Sequence, residues 1–141
     1  MAFNSTVTSA FLNQLGGKAS GVLGTCYMGL STTTPAADGT NFTEPSSANG
    51  YARTLVGQYN TPSTQVMGTP SFSAGVGTIT NTSIIYFPEA TASWGSITYF
   101  GLFTAASGGT PLVWGALTTA TTVAQETIPV FRASQFTLTM Q

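Results

Sequence analysis

Residues 81–117 contain the clearest pattern of apolar positions in the chain. Three runs rich in β-branched and aromatic residues are separated by residues typical of turns, and this pattern predicts three consecutive strands. The last two runs flank the sequence Ser-Gly-Gly-Thr-Pro at positions 107–111. Because glycine tolerates the positive φ angles of tight turns, this sequence predicts a β-hairpin.

Further strands are predicted on both sides of this stretch, where apolar residues recur on one face. They cover residues 22–30, 51–59, 71–80 (a strand or an arm), 128–130 and 135–141. In the last of them Phe136, Leu138 and Met140 alternate with Thr and Gln, as expected for a half-buried strand. Residues 31–50 and 60–70 contain Pro, Gly and Asn without periodicity and are predicted to be loops.

The N-terminus carries the only helical pattern. Val7, Phe11, Leu12 and Leu15 recur at helical spacing, and a pair of glycines ends the pattern. We therefore expect a short helical segment within residues 1–18. It either closes one end of the fold or docks on a partner as an arm.

Several central strands are apolar on both faces; within residues 97–103, for example, both parities carry large apolar side chains. In a lone antiparallel sandwich, one face of each sheet should be wet and polar. Two-sided burial therefore predicts a second layer, and we expect another subunit to provide it. The residues assigned to subunit or partner contacts are Phe100, Leu102, Trp94, Trp114, Phe11 and Leu12.

The composition favours an ordered β protein. Only 5% of the 141 residues are Asp, Glu, Lys or Arg, compared with about 25% in a typical soluble domain. The apolar content of 42% argues against disorder, and the length suffices for one hydrophobic core. We predict one mainly β domain over residues 1–141, an antiparallel β-sandwich with one short N-terminal helix and long loops.

The charge balance indicates which kinds of partner the chain is expected to bind. A nearly neutral surface repels other copies weakly, so we expect a homo-oligomer. The net charge of -1 and the lack of a basic stripe exclude electrostatic binding of nucleic acid. We expect no membrane partner, because no apolar run is long enough to span a bilayer, and no signal peptide is recognisable. Cys26 is the single cysteine, so no disulfide framework is expected.

Candidate chemistry is sparse. The chain has no histidine, which removes the commonest general base and most metal sites. It also lacks a serine-nucleophile elbow and a phosphate-binding loop. Glu44 and Glu89 could act as a glycosidase pair only if their carboxylates lay about 5–10 Å apart, and nothing in the sequence supports this beyond their presence. We therefore assign no catalytic residue, metal site or cofactor.

Two features have structural interpretations that can be tested. Glu44 and Arg53 flank a turn, and in a chain with so few charges we expect them to form an ion pair. Trp94 and Trp114 could stack on sugars if they are exposed. Large aromatic residues in apolar strands more often lie in a core or an interface, and we favour that interpretation.

Short motifs follow one another along nearly the whole chain. They are Tyr27-Met28-Gly29-Leu30, Glu44-Pro45, Gly50-Tyr51-Ala52-Arg53, Phe87-Pro88-Glu89, Trp94-Gly95, Gly101-Leu102-Phe103 and Trp114-Gly115-Ala116-Leu117. In this order they resemble a family of small structural proteins of tailed bacteriophages, commonly labelled phage tail fibre proteins. The resemblance implies a non-enzymatic component of the virion, assembled in the cytoplasm of a bacterial host.

The sequence lacks the repeats of a fibre shaft, so a capsid decoration (cement) protein is the function we expect first. Such proteins commonly form trimers and clamp neighbouring capsid subunits, which makes the major capsid protein the expected partner and a homotrimer the expected assembly. Tail proteins are the alternative partners if the chain belongs to a tail fibre or baseplate. A third alternative is a carbohydrate-binding module for receptor recognition.

Overall fold

The described residues form mainly antiparallel β-structure. The computed structural model describes residues 2–4, 12, 15–16 and 24–140. The strands found in these ranges are β1 (Ala2–Phe3), β2 (Thr25–Ser31), β3 (Thr54–Gln58), β4 (Ser71–Ser73), β5 (Val76–Thr80), β6 (Ile85–Tyr86), β7 (Gly95–Phe103), β8 (Val113–Val123), β9 (Val130–Phe131) and β10 (Thr137–Met140). Two short 3-10 helices span Ser47–Asn49 and Pro62–Thr64. The predicted mainly β, antiparallel fold is confirmed.

Three sheets are formed by these strands. The largest has the order β1-β8-β7-β2-β3, the second β10-β5-β4, and the third pairs β6 with β9. Every pairing is antiparallel. The sheets therefore join strands that are distant in sequence, such as β2 with β7 and β5 with β10.

The strands predicted within residues 81–117 are present, but their lengths differ from the expectation. β6 has only two residues, whereas β8 continues through a threonine-rich run to Val123. The predicted turn at residues 107–111 connects β7 to β8, and Gly108 and Gly109 both have φ angles of 71°. Residues 71–80 form two short strands joined by a turn at Ala74 and Gly75, rather than one strand.

The described N-terminal residues begin with a strand. Ala2–Phe3 form β1, which pairs with Val113 and Trp114 at the edge of the largest sheet. Residues 5–11, 13–14 and 17–23, which include most of the predicted helix, lie outside the described residues. The helix predicted within residues 1–18 therefore stays a prediction.

One hydrophobic cluster contains buried residues from the largest sheet and from β6, and the partly buried Phe131 of β9 and Leu138 of β10 pack against it. Its buried members include Met28, Leu30, Val56, Ile85, Ile97, Phe100, Leu102, Val123 and Phe136. The rings of Phe100 and Phe136 meet edge-to-face with their centroids 4.9 Å apart. Phe131 continues the aromatic contact, 6.0 Å from Phe136. This packing buries one face of the largest sheet.

Around Phe103 and Trp114, the opposite face of the largest sheet is covered by the chain itself. Residues 32–53, which we call the covering loop, connect β2 to β3. Phe42 of this loop packs edge-to-face on Phe103 of β7, with ring centroids 5.3 Å apart. Gly39 lies against the ring of Trp114. The layer that we expected another subunit to provide is therefore supplied here by a loop of the same chain.

Candidate functional site

Arg53 is the one charged residue that is buried among the described residues, with 8% of its surface exposed. It ends the covering loop just before β3. Its Nε donates to Oε1 of Glu44 at 2.8 Å, and its Nη2 donates to Oε2 at 2.7 Å. This is the bidentate geometry that a guanidinium forms with a carboxylate. The structure thus brings together the two residues that we assigned to an ion pair.

The remaining donors of Arg53 hold the turn between β7 and β8. Nη1 donates to the carbonyl oxygens of Ala105 and Gly108, both at 2.9 Å. The guanidinium carbon lies 3.3 Å from the centre of the Phe103 ring, where the negative face of the ring attracts a cation. One side chain therefore joins the covering loop, the end of β7 and the turn that follows it.

Tyr51 links this ion pair to the strand beneath. Its hydroxyl donates to Oε1 of Glu44 at 2.7 Å and accepts a hydrogen bond from the backbone N–H of Leu30 at 2.9 Å. Burial, and then the nearby carboxylate of Glu44, raise the pKa of Tyr51 above its usual range. The phenol therefore stays protonated and serves as a hydrogen-bond donor at neutral pH.

Gly29 makes room for this cluster. A Cβ atom at this position would lie 2.8 Å from Oε1 of Glu44, 2.9 Å from the Phe103 ring and 3.2 Å from the Tyr51 hydroxyl. Sequence reasoning missed the roles of Gly29, Tyr51 and Phe103. A glycine inside a strand pattern is a signal for close approach of another group, and it could have marked the site.

The arrangement is suited to holding loops in place. Arg53 makes four hydrogen bonds, and no buried side-chain nitrogen or oxygen of the described residues lacks a partner. Glu89 is exposed and takes no part in the cluster. In the described part of the chain, no group of three or more His, Cys, Asp or Glu residues could hold a metal ion. The chemistry visible at this site is therefore charge pairing and hydrogen bonding.

The two tryptophans lie inside the fold, with 4% and 5% of Trp94 and Trp114 exposed. Nε1 of Trp94 donates to the carbonyl oxygen of Asn49 at 2.8 Å, and its ring meets Tyr51 edge-to-face at 5.2 Å. Trp114 is covered by Gly39. Stacking on a sugar needs an accessible ring face, which neither side chain offers in this conformation.

Among the other residues assigned to partner contacts, two lie in the interior and one lies on the surface. Phe100 and Leu102 are 8% and 6% exposed and belong to the hydrophobic cluster. Burial within one chain accounts for their apolar character without a second subunit. Leu12 is 60% exposed, and Phe11 lies outside the described residues. A contact role for these residues, and for Trp94 and Trp114, stays a prediction.

The geometry alone does not show the class of protein to which the chain belongs, but a comparison with known families does. The family model of the podophage GP4 fiber I protein gp80 matches residues 2–139. The chain belongs to this family. The predicted resemblance to a family of bacteriophage structural proteins is confirmed, and a structural role in the virion follows from it. No curated protein matches the chain.

Two further observations concern this member of the fiber I family. No helix among the described residues is long and apolar enough to cross a membrane. An open groove of about 570 Å³ lies between β8 and the segment that contains β9. Its lining includes Leu30, Phe100, Phe136 and Thr119 but neither tryptophan and no charged residue. The groove therefore does not involve the residues that we considered for sugar binding.

Modification of Cys26 is expected to be slow in the folded chain. Burial raises the pKa of the half-buried Cys26 thiol to about 11, from an ordinary value of 9.0, and the thiolate is the species that reacts. At pH 8 the thiolate fraction should be about 100-fold lower than in the chain unfolded in urea. The reaction with Ellman's reagent should be slower by about 10-fold or more, because the higher pKa also makes the remaining thiolate more nucleophilic. Equal rates in the two states would contradict this prediction.

Proposed function

We propose that the chain is a non-enzymatic structural component of a bacteriophage fibre. The match of residues 2–139 to the fiber I family carries this proposal, because it extends over nearly the whole chain. The Arg53 cluster supports it, since its polar groups bind one another and fix two loops. In this proposal the three sheets form a β-sandwich that serves as a rigid folded unit of the fibre.

A capsid decoration protein is the second candidate, with the major capsid protein as its partner. It is favoured by the lack of a repeat of about 20–50 residues and by a hydrophobic cluster shared by all three sheets. A protein that binds the closed shell and not the open one would stabilise the shell by mass action. The covering loop would be the natural element for such binding, because it is long and lies on the surface of a fixed sheet.

The number of copies on each particle distinguishes the two candidates. Quantitative protein staining of purified virions of the encoding phage should give a few or tens of copies for a fibre component. Hundreds of copies would favour the decoration protein instead. Gold-labelled antibodies viewed by electron microscopy should mark the tail region in the first case and the whole capsid in the second. Absence of the chain from purified virions would refute both candidates.

A further inference from the structure

Asn49 and Gly50 form the only Asn-Gly step in the sequence. In an unfolded chain such a step is prone to deamidation, because glycine has no side chain to hinder attack by its own backbone nitrogen. The Gly50 nitrogen attacks the side-chain carbonyl carbon Cγ of Asn49. The amide group leaves as ammonia, with the proton from that nitrogen, and a five-membered succinimide ring forms. Water then opens the ring to give aspartate or isoaspartate, so the reaction needs no further reactant.

The structure places this step at the end of a short helix within the covering loop. Asn49 is the last residue of the 3-10 helix Ser47–Asn49, and Gly50 follows as its left-handed cap. Ring closure requires the Gly50 nitrogen to be nearly eclipsed with Cβ of Asn49 about the Cα–C bond. The ψ angle of a 3-10 helix keeps these two atoms roughly a quarter turn apart. Rotation toward the ring would also break the hydrogen bond from the N–H of Gly50 to the carbonyl oxygen of Ser47, which measures 3.1 Å.

The side chain and the carbonyl group of Asn49 are both held by the segment of residues 91–94. Nδ2 of Asn49 donates to the carbonyl oxygen of Ser93 at 3.0 Å. The carbonyl oxygen of Asn49 accepts hydrogen bonds from the N–H of Thr91 at 3.0 Å and from Nε1 of Trp94 at 2.8 Å. Because Trp94 is buried, these bonds can be lost only when the covering loop separates from the segment.

We infer that Asn49 is a modification site that the native fold protects. It deamidates when the chain is unfolded, and it is shielded when the covering loop is docked on residues 91–94. Reaction in the folded chain then requires local opening of the loop, and its rate is lowered in proportion to the small population of the open form. The inference goes beyond the proposed function and does not depend on where in the virion the chain is located.

Deamidation at this position should also weaken the fold. In an aspartate, a carboxylate oxygen would replace the Nδ2 donor, and two acceptor oxygens would then face each other at Ser93. In an isoaspartate, the main chain would run through the side chain, which displaces the carbonyl group that now binds Thr91 and Trp94. Since the loss of ammonia is irreversible, a chain that stays unfolded would lose the groups that dock its own loop.

Peptide mapping by mass spectrometry tests the inference on the full chain. Samples of the native chain and of the chain unfolded in guanidinium chloride would be incubated at the same mildly alkaline pH, and the loss of the Asn49 side-chain amide would be followed over time. Deamidation should be slower in the native chain by about 10-fold or more. Equal rates in the two samples would overturn the inference.

Two tryptophan variants test whether the contacts with residues 91–94 provide the protection. Trp94→Phe removes the donor to the carbonyl oxygen of Asn49 but keeps an aromatic ring, and it should speed deamidation of the native chain by about 3-fold or more. Trp114→Phe is the matched control, because Trp114 is equally buried but makes no hydrogen bond to Asn49. Equal acceleration by both variants would assign the protection to overall stability and overturn the inference.

The effect on the fold can be measured with Asn49→Asp, which has the same side chain as one of the two products. Its melting temperature, followed by circular dichroism, should lie below that of the wild type, because the bond to Ser93 is lost. An unchanged melting temperature would contradict the expectation that deamidation weakens the docking of the loop.

Discussion

Replacement of Arg53 by alanine should lower the melting temperature by about 10 °C or more. The change leaves the Glu44 carboxylate without its cation and removes the donors for the carbonyl oxygens of Ala105 and Gly108. Removing one partner of a buried ion pair costs about 3–5 kcal/mol, and in a chain of this size each kcal/mol corresponds to roughly 2–5 °C. Thermal unfolding followed by circular dichroism would measure the effect.

Arg132→Ala is the matched control for this experiment. Arg132 is exposed and makes no ion pair among the described residues, so its loss from a monomer should change stability by less than about 0.5 kcal/mol. If Arg53→Ala melts together with the wild type and with this control, the Arg53 cluster does not hold the loops as we infer.

The ion pair between Glu44 and Arg53 could be expected from the sequence because charge is scarce. Few combinations of opposite charges exist, and these two flank a short turn. The other members of the cluster could not be predicted in the same way. Gly29 and Phe103 belong to strands whose alternation shows which residues share a face, but not which loop covers that face. The position of the covering loop depends on contacts such as Phe42 with Phe103, which leave no periodic pattern in the sequence.

The same reason explains why the second layer was assigned to another subunit. Both parities of β7 are apolar, and this correctly indicated that both faces of the sheet are covered. It could not indicate whether the cover comes from the same chain or from another one. The C-terminal half of β8 was missed for the opposite reason. Its threonines are compatible with a strand, but they are exposed and give no apolar alternation to recognise.

The exposed apolar side chains of the segment around β6 give the other side of this argument. In the run of residues 84–87, Ile84 and Tyr86 form one of two apolar parities, and the structure leaves this parity exposed. Burial within the chain explains the apolar character of Phe100 and Leu102 but not that of Ile84 and Tyr86. The expectation that apolar strands contact other copies therefore rests, in this structure, on β6 and β9 rather than on β7 and β8.

Replacement of Gly50 by alanine should destabilise the fold by about 3 kcal/mol when the cost of a left-handed backbone and that of overpacking are added. Gly50 ends the 3-10 helix Ser47–Asn49 with a φ angle of 81°. A Cβ atom there would lie 2.7 Å from the backbone oxygen of Glu89 and 3.1 Å from the backbone nitrogen of Thr91. Because both are backbone atoms, neither can rotate away.

Gly75→Ala separates the effect of the left-handed backbone from the effect of overpacking. Gly75 has the same φ angle of 81°, but a Cβ atom there would meet nothing within 4 Å. Its replacement should therefore lower the free energy of unfolding only by the cost of the left-handed backbone conformation, which is about 1 kcal/mol. Urea unfolding of both variants would give the difference, which we attribute to the contact of Gly50 with residues 89–91. Equal losses of stability would mean that the backbone conformation alone matters, and that the covering loop can move away from this segment at little cost.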